Sequence, residues 1–186
     1  MRKVVLNLAV SLDGFIEGPN GEIDWCEIGD DDVMGEGSVF DLFLNSIDTI
    51  LYGRISYDLW GQYQPPAGAS AVEKNIWEKV HSKEKYVFST NAVPDGKASF
   101  ISTDIPSKIQ AMKKLPGKDI WLYGGSGIIT SFMNEGLVDA YLLAVHPVIL
   151  GAGKPLFTGI MHRVGLQLQK AIPSKSGVVV LHYEKT

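Results

Sequence analysis

The chain has 186 residues, 45% hydrophobic and 20% charged, with a formal net charge of -4 and a mean hydropathy of +0.06. That balance describes one domain, 1–186, able to bury a sizeable core, and its acidity argues against a sequence-independent nucleic-acid binder, which carries a basic surface. The lone cysteine, Cys26, can form no internal disulfide and points to a reducing cytoplasm, while no run approaches the ~20 apolar residues that span a membrane.

Residues 3–10, rich in Val and Leu, read as a buried strand rather than a leader. Asn7 interrupts the apolar run, and Ser11-Leu12-Asp13-Gly14 follows with no small-residue cleavage site. From Asp13 to Glu36 the chain is polar and glycine-rich, the character of a long loop that covers a site. Ser38-Val39-Phe40-Asp41 fits a capping box, opening a helix to about Ser46. Residues 48–52 predict a second strand, ended by Gly53-Arg54. Val72, Ile76, Trp77 and Val80 mark one face of a helix over 70–82. Residues 86–90 form a third strand and 100–101 a short fourth, and Asp104-Ile105-Pro106 starts another helix with proline in its first turn.

Residues 119–123 are an apolar strand that breaks into glycines and resumes as a helix, with Gly136 as its C-cap. A strand over 138–149 contains Pro147, and 164–172 with 177–184 alternate as an antiparallel pair about the 173–177 turn. This order predicts an α/β sheet, mostly parallel with an antiparallel edge hairpin, and shows no repeat or linker.

Three strand ends carry phosphate-friendly chemistry. Tyr123-Gly124-Gly125-Ser126-Gly127 opens a helix whose first N–H groups lack partners, next to the positive end of the helix dipole. Glycines there let a diphosphate approach the backbone, though tight strand–helix packing would also call for them. The dinucleotide fingerprint is not matched, because residue 129 is Ile where it wants glycine. Ser126 also invites a hydrolase reading, with Asp139 and His146 following, but Ile128 stands where a nucleophile elbow needs glycine. Arg54 offers a planar fork for a 2′-phosphate, with Ser56 nearby, or is simply a snorkelling strand-end arginine. Ser89-Thr90 repeats the arrangement or forms a turn.

Trp25, in the glycine-rich loop, suits a flat wall for a planar substrate, and Asp24 beside it is a candidate general acid. Asp41 is accounted for by the capping box, and Asp30 to Asp32 with Glu36 read as a solvated run. The four histidines show no metal-ligand spacing, so no metal site is expected. Gly151-Ala152-Gly153-Lys154 lacks the Ser/Thr of a P-loop and reads as a plain loop.

Ser-Leu-Asp-Gly-Phe-Ile (11–16), Asp-Trp (24–25), Asp-Thr-Ile-Leu-Tyr-Gly-Arg-Ile-Ser-Tyr (48–57), Leu-Tyr-Gly-Gly-Ser-Gly (122–127) and His-Pro-Val-Ile-Leu-Gly-Ala-Gly-Lys-Pro-Leu-Phe (146–157) resemble the dihydrofolate reductase superfamily. The likeness is nearest to its riboflavin-biosynthesis branch, the RibD C-terminal domain. The resemblance implies a three-layer fold on a mixed sheet of about eight strands, an NADPH cofactor and often a homodimer. It places Gly53, Arg54 and Ser56 at the 2′-phosphate side of NADPH and Ser89 and Thr90 near the adenosine. Gly124, Gly125, Ser126, Gly127 and Ile128, following Tyr123, fall at the diphosphate, with a cis peptide between the paired glycines. Ala9 and Ile16 fall at the nicotinamide, and Trp25, Tyr57 and Pro147 toward the substrate.

The implied activity is hydride transfer to a C=N or C=O of a small planar heterocycle or ribosylamino-pyrimidine, as in 5-amino-6-(5-phosphoribosylamino)uracil reductase. The alternatives are a dihydrofolate reductase and a non-catalytic NADP-binding protein. Against a dihydrofolate reductase, the helix after the loop offers only Asp41 as a carboxylate to protonate a pterin; against the uracil reductase, no basic residues can be placed for its ribose phosphate.

Overall fold

A computed structural model describes residues 1–26, 31–91 and 95–186, with backbone alone for Asp31 and Asp32. Asp30 and the side chains of Asp31 and Asp32, expected to be solvated, therefore lie outside what is described. In chain order the first elements are β1 (Val4–Ser11), β2 (Phe15–Glu17), α1 (Asp31–Met34), α2 (Val39–Ser46), β3 (Ile47–Gly53) and α3 (Arg54–Ser56), which continues as a π-helical turn, Tyr57–Gly61. Then follow α4 (Ala71–His81), β4 (Glu84–Phe88), β5 (Ser99–Ile101), α5 (Ile105–Lys114), β6 (Asp119–Tyr123) and α6 (Ser126–Asn134). The chain closes with β7 (Ala140–His146), β8 (Lys154–Pro155), β9 (Leu166–Pro173) and β10 (Val179–Lys185).

Eight strands make one sheet in the order β5-β4-β3-β6-β1-β7-β10-β9. β5 through β7 run parallel, and β10 pairs antiparallel with both β7 and β9. β1 is central because its side chains are apolar on both faces, as a parallel strand covered by helices requires. Val4, Leu6 and Val10 join Ile109 of α5 and Ile129 and Phe132 of α6 in one core. Val5 faces the other way, with Phe43 and Leu44 of α2 and Ile76, Trp77 and Val80 of α4. The mostly parallel α/β sheet with an antiparallel edge expected from the element order, and the three layers implied by the resemblance, are thus the architecture observed.

The helix starts follow local chemistry. Ser38 Oγ accepts from Asp41 N at 3.1 Å, half of the expected capping box. The other half is displaced: the Asp41 carboxylate accepts from Gly37 N at 3.2 Å and from Lys79 Nζ at 2.5 Å rather than from Ser38 N. The Lys79 ammonium holds the Asp41 carboxyl below its ordinary range, and this pair ties α2 to α4.

Two expectations need correction. The 138–149 strand is shorter, Ala140–His146, ending just before Pro147, which has no N–H to continue a ladder. The Asp13–Glu36 stretch is not wholly loop. β2 pairs antiparallel with β8, so the Gly151–Lys154 loop runs into a short ribbon. Gly153 has φ +152°, and a Cβ there would overlap the Glu17 carbonyl oxygen, which is why a glycine joins that ribbon. The Asp13 carboxylate accepts from the amides of Leu150 and Gly151 at 3.1 and 2.8 Å and from Ser11 Oγ at 2.6 Å, pinning the two loops together. Among the described residues no helix is long and apolar enough to cross a membrane.

Candidate active site

Strand register brings the three glycine- and hydroxyl-bearing strand ends together. Tyr52 stands opposite Tyr123, and Gly53 opposite Phe88, so β4, β3 and β6 end level with one another. Gly53-Arg54, Ser89-Thr90 and Gly124–Ile128 therefore leave the sheet side by side at its carboxyl rim, where open α/β sheets bind ligands. Gly53, Arg54, Ser89, Thr90 and Gly125 to Ile128, together with Ser56, Ser102 and Lys154, line a cleft of about 510 Å³.

The cleft's chemistry suits a phosphorylated ligand. Gly125 caps α6 with no side-chain bond, and the first bond of that helix runs from Ile129 N to Gly125 O. The amides of Ser126, Gly127 and Ile128 thus sit ahead of the ladder as anion donors. A Cβ on Gly124 would lie 2.5 Å from Ile128 Cγ2 and 3.2 Å from Gly53 N, so β3 and the glycine turn approach as closely as backbones can. Arg54 spends its Nε on Asp58, at 2.7 Å, and its guanidinium carbon lies 5.7 Å from the Phe100 ring centre. That pose fixes the fork while leaving its outer nitrogens for a phosphate. These residues fit NADPH: helix amides for the diphosphate, an arginine for a 2′-phosphate, hydroxyls beside it. The cis peptide expected at Gly124–Gly125 is absent. All described peptide bonds are trans, and Gly125, extended at φ −76° and ψ 174°, carries strand into helix without a reversal.

A second cavity, of about 240 Å³, opens on the α2/α4 face of the sheet. Its floor is low because Ala9 of β1 and Ala144 of β7 stand opposite each other, two methyl groups where longer side chains would fill the space. Its wall is aromatic: Trp25, Trp60, Trp77 and Trp121, the chain's four tryptophans, all line it, with Tyr52 and Tyr123. Trp60 stacks on Trp77 at 6.1 Å and 8°, and Trp25 meets His146 edge to face at 5.4 Å. Burial pushes the phenols of Tyr52 and Tyr123 far above their ordinary value and the Cys26 thiol up to about 11, so all three stay neutral. The two cavities share Glu17, Ile55, Ser56 and Gly125 in their walls.

Residues 2–180 match the family model of the RibD C-terminal domain. The chain belongs to the RibD C-terminal domain family. It is 53% identical over 183 residues to the uncharacterised protein YyaP of Bacillus subtilis (strain 168), an alignment that covers 98% of this chain and 94% of that one. Among solved structures it resembles a protein of Shewanella sp. PV-4 named for riboflavin biosynthesis, with a TM-score of 0.78 at 21% identity, covering 100% of this chain and 99% of that one. It also resembles a dihydrofolate reductase of Enterococcus faecalis complexed with NADP(H), with a TM-score of 0.66 at 14% identity, covering 99% and 96%. The chain therefore shares its fold with both of these proteins.

Within this RibD C-terminal domain, Ala9, Ile16, Tyr123 and Gly124 line the aromatic cavity, Gly53, Arg54, Ser89, Thr90, Ser126, Gly127 and Ile128 line the cleft, and Ser56 and Gly125 line both. Of the three residues expected to face the substrate, only Trp25 lies on the cavity wall. Tyr57 is 1% exposed inside the α2/α4 core, and its hydroxyl donates to Asp95 Oδ2 at 2.6 Å. The helical turn after Gly53 rotates it inward, and Ile55, Ser56 and Leu59 take the wall instead. Pro147 is exposed, one residue past the end of β7. Asp24 is exposed and absent from the wall, so the titratable side chains on it among the described residues are Glu17, Cys26, Tyr52, Tyr123 and His146. Asp41 is turned to Lys79 rather than to the cavity. Sequence reasoning missed Asn7, Trp60, Trp77 and Trp121; the one local signal was a polar Asn7 inside an otherwise apolar strand. Among the described residues no cluster of His, Cys, Asp or Glu could hold a metal.

Proposed function

We propose that this protein is an NADPH-dependent reductase that delivers a hydride to a C=N or C=O carbon of a small planar molecule. The supporting observation is the junction of a phosphate-binding cleft with an aromatic cavity through Glu17, Ile55, Ser56 and Gly125. Bound NADPH would supply the hydride. The α6 amides and Arg54 would hold its phosphates, and Ser89 and Thr90 would flank the adenosine. Ala9 and Ile16, on the cavity side of the junction, would border the nicotinamide. Trp25, Trp121 and Tyr123 would sandwich the substrate ring and exclude water, raising the effective concentration of the reacting partners. Glu17 and His146, on the wall, are the groups placed to pass a proton. Pterin reduction is disfavoured because Asp41, the helix carboxylate, is occupied by Lys79 and Gly37.

Calorimetry with NADPH and NADH, followed by coenzyme oxidation against pterin, flavin-precursor and quinone-like acceptors, tests this. NADPH binding with turnover of at least one acceptor is expected. Absence of coenzyme binding would overturn the proposal, and tight binding with no turnover would favour a non-catalytic NADP-binding protein.

A further inference from the structure

The wall shared by the two cavities carries a group that a phosphate-binding cleft should avoid. Glu17 lines both the cleft and the aromatic cavity, and among the described residues it is the one Asp or Glu on either wall. A carboxylate beside a diphosphate works against its binding, because like charges disfavour each other's ionised forms. In the ligand-free protein that charge is masked. Glu17 Oε2 accepts from Lys154 Nζ at 2.6 Å, across the β2–β8 ribbon in which the two residues stand opposite each other.

Lys154 also borders the anion donors of the cleft. It lines the cleft but not the aromatic cavity, and a Cβ on Gly125, the cap of α6, would lie 4.0 Å from its Nζ. One ammonium thus adjoins both the Glu17 carboxylate and the helix start whose amides face an anion. The ion pair is open to water, with the lysine side chain 42% and the glutamate side chain 30% exposed, and pairs of that kind are weakly held. A lysine ammonium on its flexible stem can change acceptors, and a diphosphate offers it more negative charge than one carboxylate. Arg54 of α3, the other cation on the cleft wall, is tied through Nε to Asp58.

After such an exchange Glu17 would stand beside an anion without its cation, a setting that favours the protonated carboxyl. Its neighbours on the cavity side do not replace the lost charge at neutral pH and above. Burial keeps the Tyr123 phenol of β6 and the Cys26 thiol after β2 neutral. His146 of β7, which meets Trp25 edge to face, is the one group on that wall able to become a cation, and histidines do so chiefly below about pH 6.5.

We infer that Lys154 is a switch between the two cavities: it pairs with Glu17 in the free protein and with the coenzyme's diphosphate in the complex, and the exchange leaves Glu17 protonated at the edge of the aromatic cavity. The proton comes from solvent as coenzyme binds. Passed to the substrate together with the hydride, it completes the reduction and returns Glu17 to its carboxylate. The inference rests on the reductase reading for the anion's identity and for the use of the proton, not for the exchange itself.

The protein and its Glu17→Gln, Lys154→Met and Lys154→Arg variants are titrated calorimetrically with NADP⁺ at about pH 5.5, a unit above an ordinary glutamate. Buffers of different ionisation enthalpy let one experiment read affinity and proton uptake. Lys154→Met should weaken NADP⁺ about tenfold, the scale of one charge-assisted hydrogen bond, and Lys154→Arg should retain most of the affinity. Glu17→Gln should tighten NADP⁺ instead, and should take up fewer protons on binding than the wild type. The titrations of the 2′-phosphate and of His146 occur in both proteins and cancel in that difference. A bond that merely holds the β2–β8 ribbon would shift both variants the same way. Weakening by both, unchanged affinity in Lys154→Met, or equal proton uptake in wild type and Glu17→Gln overturns the switch. Inorganic pyrophosphate, titrated in the same way, separates the two levels. Opposite effects of the two variants on pyrophosphate, with no NADP⁺ binding, count against the reductase reading alone. NADP⁺ binding without opposite effects counts against the switch alone, and binding of neither anion overturns both.

Discussion

Replacing Gly124 with alanine tests whether the close approach of β3 to the glycine turn shapes the cleft at the start of α6. The new Cβ would sit 2.5 Å from Ile128 Cγ2 and 3.2 Å from the Gly53 amide nitrogen. Carbon atoms prefer a separation of roughly 3.5–4.0 Å, so the side chain must retreat by about 1 Å and the backbone by a few tenths. Ile128 cannot easily rotate away, because a β-branched residue in a helix has one strongly preferred rotamer. Overpacking of this kind costs about 1–3 kcal/mol. At ~2–4 °C per kcal/mol for a chain of this size, the melting temperature falls by about 2–12 °C. The displaced parts are the α6 start and the residue before Arg54, so NADPH affinity should fall with stability. Ile128→Ala removes the offending methyl group, so the double variant should be more stable than the two single changes summed, by ~1 kcal/mol or more. Calorimetric melts and NADPH titrations of the four proteins give the answer. Strict additivity, or an unaltered Gly124→Ala melt, would show that this contact does not hold the turn.

Arg54→Ala should weaken NADPH by roughly tenfold, the scale of one charge-assisted hydrogen bond, and leave NADH nearly unchanged; equal weakening of both by calorimetry would remove the 2′-phosphate assignment. Asp139 accepts from Lys113 Nζ and from Val4 N, each at 2.7 Å, and Lys113 is 4% exposed, so Asp139→Ala should cost about 3–5 kcal/mol in urea unfolding by stranding a buried charge; a loss below about 1 kcal/mol would contradict that. Burial raises the Cys26 thiol from its ordinary value to about 11; the unfolded chain therefore loses that proton first, and stability should fall as pH rises toward that value. Cys26→Ala should flatten the start of that alkaline decline, and an unchanged pH profile would refute the assignment. Asp24→Asn should leave turnover within about twofold, since an exposed carboxylate outside the cavity cannot hold a proton at the reacting atoms.

Much of the glycine- and hydroxyl-lined cleft could be read from the chain because its signals are local. A glycine run between an apolar strand and a helix specifies a turn and an uncapped helix start wherever it occurs, and Gly53-Arg54 and Ser89-Thr90 announce strand ends in the same way. The aromatic cavity was less legible. Tyr57 sits only three residues after Arg54, yet the helical turn between them carries it into the core and Leu59 to the wall. Asp24 adjoins Trp25 in sequence but is turned to solvent. Trp60, Trp77 and Trp121 come from three elements and converge only because those elements share one core on the same face of the sheet.

Periodicity, glycine placement and strand-end chemistry by themselves determined the α/β class, the parallel order of the early strands with an antiparallel edge, and the anion-seeking character of three turns. These depend on residues within one or two helical turns of each other, where propensity and backbone geometry suffice. Only the folded chain decided that β4, β3 and β6 end level and that Ala9 faces Ala144 to open a cavity. It alone left Asn7 Nδ2 and Trp77 Nε1 buried without a hydrogen-bond partner among the described residues. Those outcomes depend on register and packing between segments far apart in sequence, and no local pattern encodes which side chains will share a space.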